Sequence, residues 1–315
     1  MASLTCRFSL SLACGFTLAA LSACGGGGSS SNSGAPASAQ SADGRVSYTW
    51  TFEGASGSDG AVVRQFMPSK DGTAWTAGPI TTCVAGAIGC RVFPVTDGHT
   101  GSALQFDPTA NASFAWLAGG TSVSLCSSDL LEFSDPYGDL NYQMTVAMWI
   151  KPAKVESGQT YHLFGTGDPL VIGGTTYKAA SFHVRMVDGK IVLSLFPGNG
   201  YRPTPDLVLT SATNFLALPT ATAWHHVAVT YNNYDTRLYV DGQLEAQQTR
   251  GTDYRALCAA HRPYYLGGLS SVTAIQGVTE AASYIFPGTI DDLVFSNRAY
   301  SGSEIASLAA SVAVK

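Results

Sequence analysis

Residues 224–247 constrain the fold more than any other stretch. They run Trp-His-His-Val-Ala-Val-Thr-Tyr, then Asn-Asn-Tyr-Asp, then Thr-Arg-Leu-Tyr-Val, Asp-Gly and Gln-Leu-Glu-Ala-Gln. Val227, Val229 and Tyr231 alternate with smaller or polar neighbours, and Asn232 to Asp235 supplies turn residues, so the stretch reads as three strands and two turns. The second turn has two candidate forms. A two-residue Asp241-Gly242 loop would set Leu238 opposite Glu245. A three-residue loop, Val240 to Gly242 with Gly242 left-handed, pairs Leu238 with Leu244 and Arg237 with Glu245. The three-residue form is expected, because it keeps apolar with apolar and charge with opposite charge.

The same period of two recurs along the chain. Tyr48, Trp50 and Phe52 share one side of Val46 to Glu53, the expected first strand. Leu104 and Phe106 open another. Met144, Val146, Met148 and Ile150 share a face, with Trp149 on the other. Phe182, Val184 and Met186 face Ile191, Leu193 and Leu195 across Asp188-Gly189, where a two-residue loop gives the good register. Tyr264 to Gly268 reads as a further strand, and Ile290 to Phe295 as the last, pairing near the first. Ser301 and Glu304 form a capping box before Ile305, Leu308 and Val312, a short closing helix. Residues 54–100 are richer in Gly, Thr and Asp and read as a long excursion with a short strand at Val62 to Met67. Trp75 there is expected to cover an edge of the core.

These runs carry a resemblance. Trp224 to Tyr231 followed by Leu238-Tyr239-Val240-Asp241-Gly242, with Ala103 to Asp107, Thr145 to Pro152, and Gly288 to Phe295 leading into Ser303-Glu304-Ile305, resemble in order the laminin-G-like, concanavalin A-like jelly-roll domains of bacterial surface proteins. The resemblance covers most of residues 46–312. It implies an all-β, two-sheet antiparallel jelly-roll sandwich with a short C-terminal helix over residues 45–315. It leaves function open, since the fold hosts lectins, adhesion modules, hydrolases and lyases.

Composition agrees with a large sandwich: 45% hydrophobic, only 12% charged, and 34 glycines in 315 residues. Lys and Arg number 17 against 22 Asp and Glu, without a basic cluster. No nucleic-acid groove or anionic-membrane patch is therefore expected. Residues 1–24 read as a signal peptide, and Leu21-Ser22-Ala23-Cys24 resembles the bacterial lipobox, which makes Cys24 the expected lipidation site. Membrane attachment would be through that lipid anchor alone, and Gly25 in place of Asp resembles the default signal for the outer membrane. Residues 25–44 are a Gly/Ser tether spanning roughly 25 Å as a coil. Cys83, Cys90, Cys126 and Cys258 remain, an even number for an oxidising compartment, and the local pairing Cys83 with Cys90 leaves Cys126 with Cys258. A structural zinc site competes, although no Cys-x-x-Cys pair is present.

Catalytic patterns are scarce. The laminarinase-like hydrolases of this fold carry their carboxylates as Glu-x-Asp-x-Glu or a close variant, which strand alternation sets on one face, and that run does not occur. The acidic run Asp129, Glu132, Asp135, Asp139 is broken by Pro136 and Gly138 and reads as a solvated loop. His225 and His226 point to opposite faces of a strand and cannot both bind one ion through it, so one ring in the packing and one at the surface is expected. A nucleophile elbow is missing. The resemblance also implies a structural Ca2+ site made by an acidic residue after the first strand, backbone carbonyls and an Asp opening the last strand, places held here by Glu53 and Asp291. The resulting expectation is a surface lipoprotein with a non-catalytic module for a glycan or protein ligand, bound at loop ends or on the concave sheet. Tyr201 and Arg202 are the candidate contacts. A divergent glycoside hydrolase or polysaccharide lyase is the alternative.

Overall fold

The computed structural model describes residues 47–53, 64–66, 69–71, 80–82, 92–109, 115–117, 143–166, 170–172, 175–178, 182–196, 205–232, 234–249, 264–269, 284–296 and 298–311. The strands are, in chain order, β1 Ser47–Trp50, β2 Arg64–Phe66, β3 Ser69–Asp71, β4 Ile80–Thr82, β5 Val92–Val95, β6 Ala103–Phe106 and β7 Ala115–Leu117. They continue with β8 Met144–Pro152, β9 Thr160–Gly165, β10 Leu170–Ile172, β11 Thr175–Lys178, β12 Phe182–Val187 and β13 Lys190–Leu195. The rest are β14 Leu207–Asn214, β15 His225–Tyr231, β16 Asp235–Val240, β17 Gln243–Thr249, β18 Tyr264–Leu266 and β19 Gly288–Ser296, followed by the helix α1 Gly302–Ala309.

Two antiparallel sheets form the sandwich. One has nine strands, in the order β17-β16-β15-β8-β19-β1-β3, with β5 and β6 joined through β19. The other has eight, in the order β14-β13-β12-β9-β18-β7-β4-β2, and β10 and β11 form a separate ribbon. First and last strands pair, Tyr48 opposite Phe295 and Trp50 opposite Leu293. Between the sheets lies a core in which Trp50, Phe164, Phe182, Phe286 and Phe295 are fully buried. Phe295 meets Phe164 and Phe182 edge-on across the sandwich at 5.3 and 5.8 Å between centroids. Such pairs add about 0.5–1.5 kcal/mol each beyond the area they bury.

The nine-stranded sheet also has a small apolar cluster on its outward face, where Ala147, Ala228, Tyr239, Val294, Tyr300 and Ile305 pack beneath α1. The expected capping box starts that helix: Ser301 accepts from the Glu304 amide, and the Glu304 carboxylate accepts from the Ser301 amide.

Three local expectations fail. The first strand ends at Trp50 instead of Glu53, because Phe52 turns left-handed with φ 57°. The strand beginning at Tyr264 stops at Leu266. The Asp241-Gly242 loop has two residues, not three: Asp241 and Gly242 have φ 50° and 76°, and Val240 pairs with Gln243. A bulge between Leu238 and Tyr239 then sets Leu238 opposite Ala246, which packs against the core, and leaves Leu244 on the surface. Glu245 reaches the Thr213 amide at 2.7 Å, and Arg237 pairs with Asp235. At Asp188-Gly189 the expected register holds, with Met186 opposite Ile191 and Val184 opposite Leu193.

Candidate metal centre and binding face

Strand alternation builds the candidate centre. Trp149 of β8 lies between Asp291 of β19 and His226 of β15 in register, so all three side chains share the outward face of the nine-stranded sheet. The turn from Asp97 to Ser102 lies over them. The His99 ring stacks on Trp149 at 3.6 Å with an interplanar angle of 12°. The Thr100 amide donates to Asp291 Oδ2 at 3.0 Å, and the Thr100 hydroxyl donates to both Asp292 oxygens at 2.9 and 2.8 Å. One bond further along, the Ser102 amide donates to Glu53 Oε1 at 3.1 Å.

Glu53 and Asp291 thus meet the same turn, and glycines let them. A Cβ on Gly98 would stand 2.8 Å from Asp291 Oδ2, and one on Gly101, at φ +66°, would enter the Glu53 carboxylate. Phe52 and Asp292, the neighbours of the two carboxylates, are both left-handed at φ 57° and 47°, and a bulge follows Asp291. Non-glycine residues held in that region mark a place where the surroundings over-determine the backbone. Asp291 is fully buried, and burial first, then the Asp292 charge, pushes its carboxyl up to about 8.

A buried carboxylate, a second one beside the same turn and the oxygens of a tight glycine-bearing loop form a hard donor set that fits calcium. Among the described residues no three His, Cys, Asp or Glu side chains converge as a metal cluster. An ion here would therefore take the rest of its shell from turn carbonyls and water.

Both histidines of the 224–247 stretch are buried, His225 at 5% and His226 at 2% exposure, which corrects the expectation that one is at the surface. The physical reason is the cover provided by Trp149 and the 97–102 turn, elements remote in sequence. Burial lowers His226 to about 4. His225 faces inward against Phe215, with Nδ1 2.8 Å from Asp241 Oδ2 and Nε2 2.8 Å from the Thr220 carbonyl. Burial lowers its pKa, but the two acceptors outweigh it and the net shift is upward. Asp241 also accepts from the His226 amide, so the pair locks the hairpin turn to β15.

The eight-stranded sheet has different chemistry. Among the described residues none of its strands contains an Asp or Glu. Its outward face instead carries His162, His183 and Arg185, all buried, with the Arg185 guanidinium 4.6 Å from the centre of the Tyr284 ring. Burial, aided by Arg185, holds His183 well below the usual imidazole range. The alternation of Phe182 to Val187 placed these side chains away from the core, but nothing in the sequence signals their cover.

Several expected residues lie outside the described ones: Cys24, Trp75, Cys83, Cys90, Cys126, Cys258, Tyr201, Arg202 and the acidic run at 129–139. Among the described residues no helix is long and apolar enough to cross a membrane.

The family described as the concanavalin A-like lectin/glucanases superfamily matches residues 125–306. No curated protein is similar in sequence. Among solved structures, domain 4 of AbnA, a GH43 extracellular arabinanase from Geobacillus stearothermophilus, is 19% identical over 74% of this chain and 89% of its own, with TM-score 0.45. The botulinum neurotoxin serotype D binding domain is 11% identical over 85% of this chain and 50% of its own, with TM-score 0.49. The CBM40 of the Ruminococcus gnavus IT-sialidase, solved with α2,3-sialyllactose, is 18% identical over 62% and 95%, with TM-score 0.40. The chain spans about half the length of the toxin binding domains it matches. At these identities the likeness is one of fold.

Proposed function

The chain belongs to the concanavalin A-like lectin/glucanase superfamily, and on that footing we propose that it is a non-catalytic binding module for glycan or protein, held at the bacterial outer membrane by a lipid on Cys24. The observation that supports a binding role is a cleft of about 320 Å³ lined by Phe93, Gln105, Pro108 and Pro287, an aromatic and amide-bearing recess of the kind that holds a ligand. Glycoside hydrolysis needs two carboxyl groups facing each other across the bond, about 5–9.5 Å apart. Among the described residues the strands of the eight-stranded sheet supply no Asp or Glu for such a pair.

Calcium has a structural part in this reading. Asp291, Glu53 and carbonyls of the 97–102 turn would hold the ion, whose charge offsets two carboxylates and joins the end of β1 to β19. Asp291 lies on the outward face of β19 and Glu53 follows β1, so both ends of the domain are tied to one turn. A polysaccharide lyase is the alternative, favoured by the proximity of His183, Arg185 and Tyr284.

The test is to incubate the full-length protein with a polysaccharide panel, following retention by affinity electrophoresis and product by reducing-end and ultraviolet assays. Retention without product is expected. Release of reducing ends, or of unsaturated products, would replace the binding reading with hydrolysis or elimination respectively.

A further inference from the structure

Beside the cover of α1 and the 97–102 turn, the outward face of the nine-stranded sheet ends in a row of side chains, whose Trp224 end touches that turn through His99 and Asp97. Register aligns them: Phe93 opposite Gln105, Gln105 opposite Thr289, and Thr289 opposite Lys151. Trp224 continues the row, since His225 pairs with Ile150 and the Lys151 ammonium lies 5.8 Å from the centre of the Trp224 ring. Five adjacent strands at about 4.8 Å spacing make a strip roughly 19 Å long. Gln105 is exposed, Phe93, Lys151 and Trp224 are partly so, and Thr289 between them is buried. Along its Phe93 end a cleft of about 320 Å³ opens, bounded by Pro108, Ala153, Lys154 and Pro287.

We propose that this strip binds a neutral oligosaccharide. The inference rests on the binding-module reading and gives it a site, on the sheet opposite the one that carries His183 and Arg185. An aromatic ring stands at each end, where the apolar face of a sugar can lie, and the exposed Gln105 amide between them can meet sugar hydroxyls. The charges select against an ionic ligand. Lys151 is paired with Asp97 at 3.0 Å and Lys154 with Glu156 at 3.2 Å, while Asp107 at the cleft wall accepts from the Thr109 amide and hydroxyl. A carboxylated or sulfated sugar would have to share an ammonium group with the carboxylate already on it. Asp97 belongs to the turn held by Asp291 and Glu53, so the same turn that meets the two carboxylates also fixes Lys151 in the row.

The experiment uses the full-length protein on an array of neutral and acidic oligosaccharides, followed by titration of the bound sugars with wild type, Phe93→Ala and Gln105→Ala. Melting temperature serves as the control for folding. Gln105 is exposed, so its variant is informative even where Phe93→Ala fails to fold. Expected are neutral ligands whose affinity falls about tenfold in Phe93→Ala and several-fold in Gln105→Ala. Neutral ligands bound equally well by both variants would overturn the strip while leaving the binding reading in place. Binding confined to acidic sugars would overturn the ligand class. An array without any bound glycan would overturn the inference and restrict the broader reading to protein ligands.

Discussion

Asp291 and Glu53 grip the same turn from the two ends of the domain, Asp291 through the Thr100 amide at 3.0 Å and Glu53 through the Ser102 amide at 3.1 Å. Gly101 lies between those contacts, left-handed and against the Glu53 carboxylate. Gly101→Ala should destabilise the protein by roughly 1–3 kcal/mol in a denaturant melt, from backbone strain and displacement of Glu53 together. Gly158→Ala is the control, because Gly158 has φ +73° but open space around it. It should show the backbone part alone. Equal losses in the two variants would mean that the turn does not press on Glu53.

The His225–Asp241 pair predicts a pH dependence. His225 is raised in the folded state, so its contribution is complete below the unfolded value near 6.5 and is lost as pH rises through the folded value. Asp241 is lowered overall, its hydrogen bonds and the histidine charges outweighing burial. Its contribution is present above about 3.9 and is lost as pH falls through the folded value. Asp241→Asn keeps an acceptor for the His226 amide and tolerates the left-handed turn, so it isolates the charge. Its stability deficit should be about 1 kcal/mol near pH 5.5, given that Asp241 is half-exposed and screened, and should shrink toward pH 8.5. A deficit constant with pH would show that His225 is not charged by this partner.

The closing helix and about half of the strands are legible, because alternation in Met144 to Ile150 or Phe182 to Leu195 and the Ser301–Glu304 box are local patterns, whereas β9, β14 and the three further strands β3 to β5 within residues 54–100 lack one. The hairpin after Val240 differs from the sequence expectation for a physical reason. A three-residue loop and a two-residue loop followed by a bulge both accommodate an extra residue, and sequence alternation cannot say where it goes. Glu53 and Asp291 were named only through a family resemblance, and the turn that joins them was not. Its Gly98-His99-Thr100-Gly101 run acquires meaning once β1 and β19 are adjacent, a contact between chain ends that no short window contains. The burial of His226 has the same origin.

Anchoring is tested separately from folding. In Gram-negative cells, Cys24→Ser should move the protein from the membrane fraction to the soluble fraction, because the acyl chains that would hold it need the thiol. Unchanged membrane partition of this variant would remove the lipid from the account.

The most direct test of the proposed calcium site is a thermal melt of metal-free full-length protein in chelator, calcium and magnesium, repeated for Asp291→Ala. Calcium that binds only the native state adds about 2.7 kcal/mol at a hundredfold excess over its dissociation constant. For a domain of this size that is roughly 5–10 °C. Magnesium, which demands a tighter octahedron, should add much less, and Asp291→Ala should abolish the calcium shift. A wild-type melting temperature that is the same in calcium and in chelator, with metal content confirmed at zero in the chelated sample, would contradict the account.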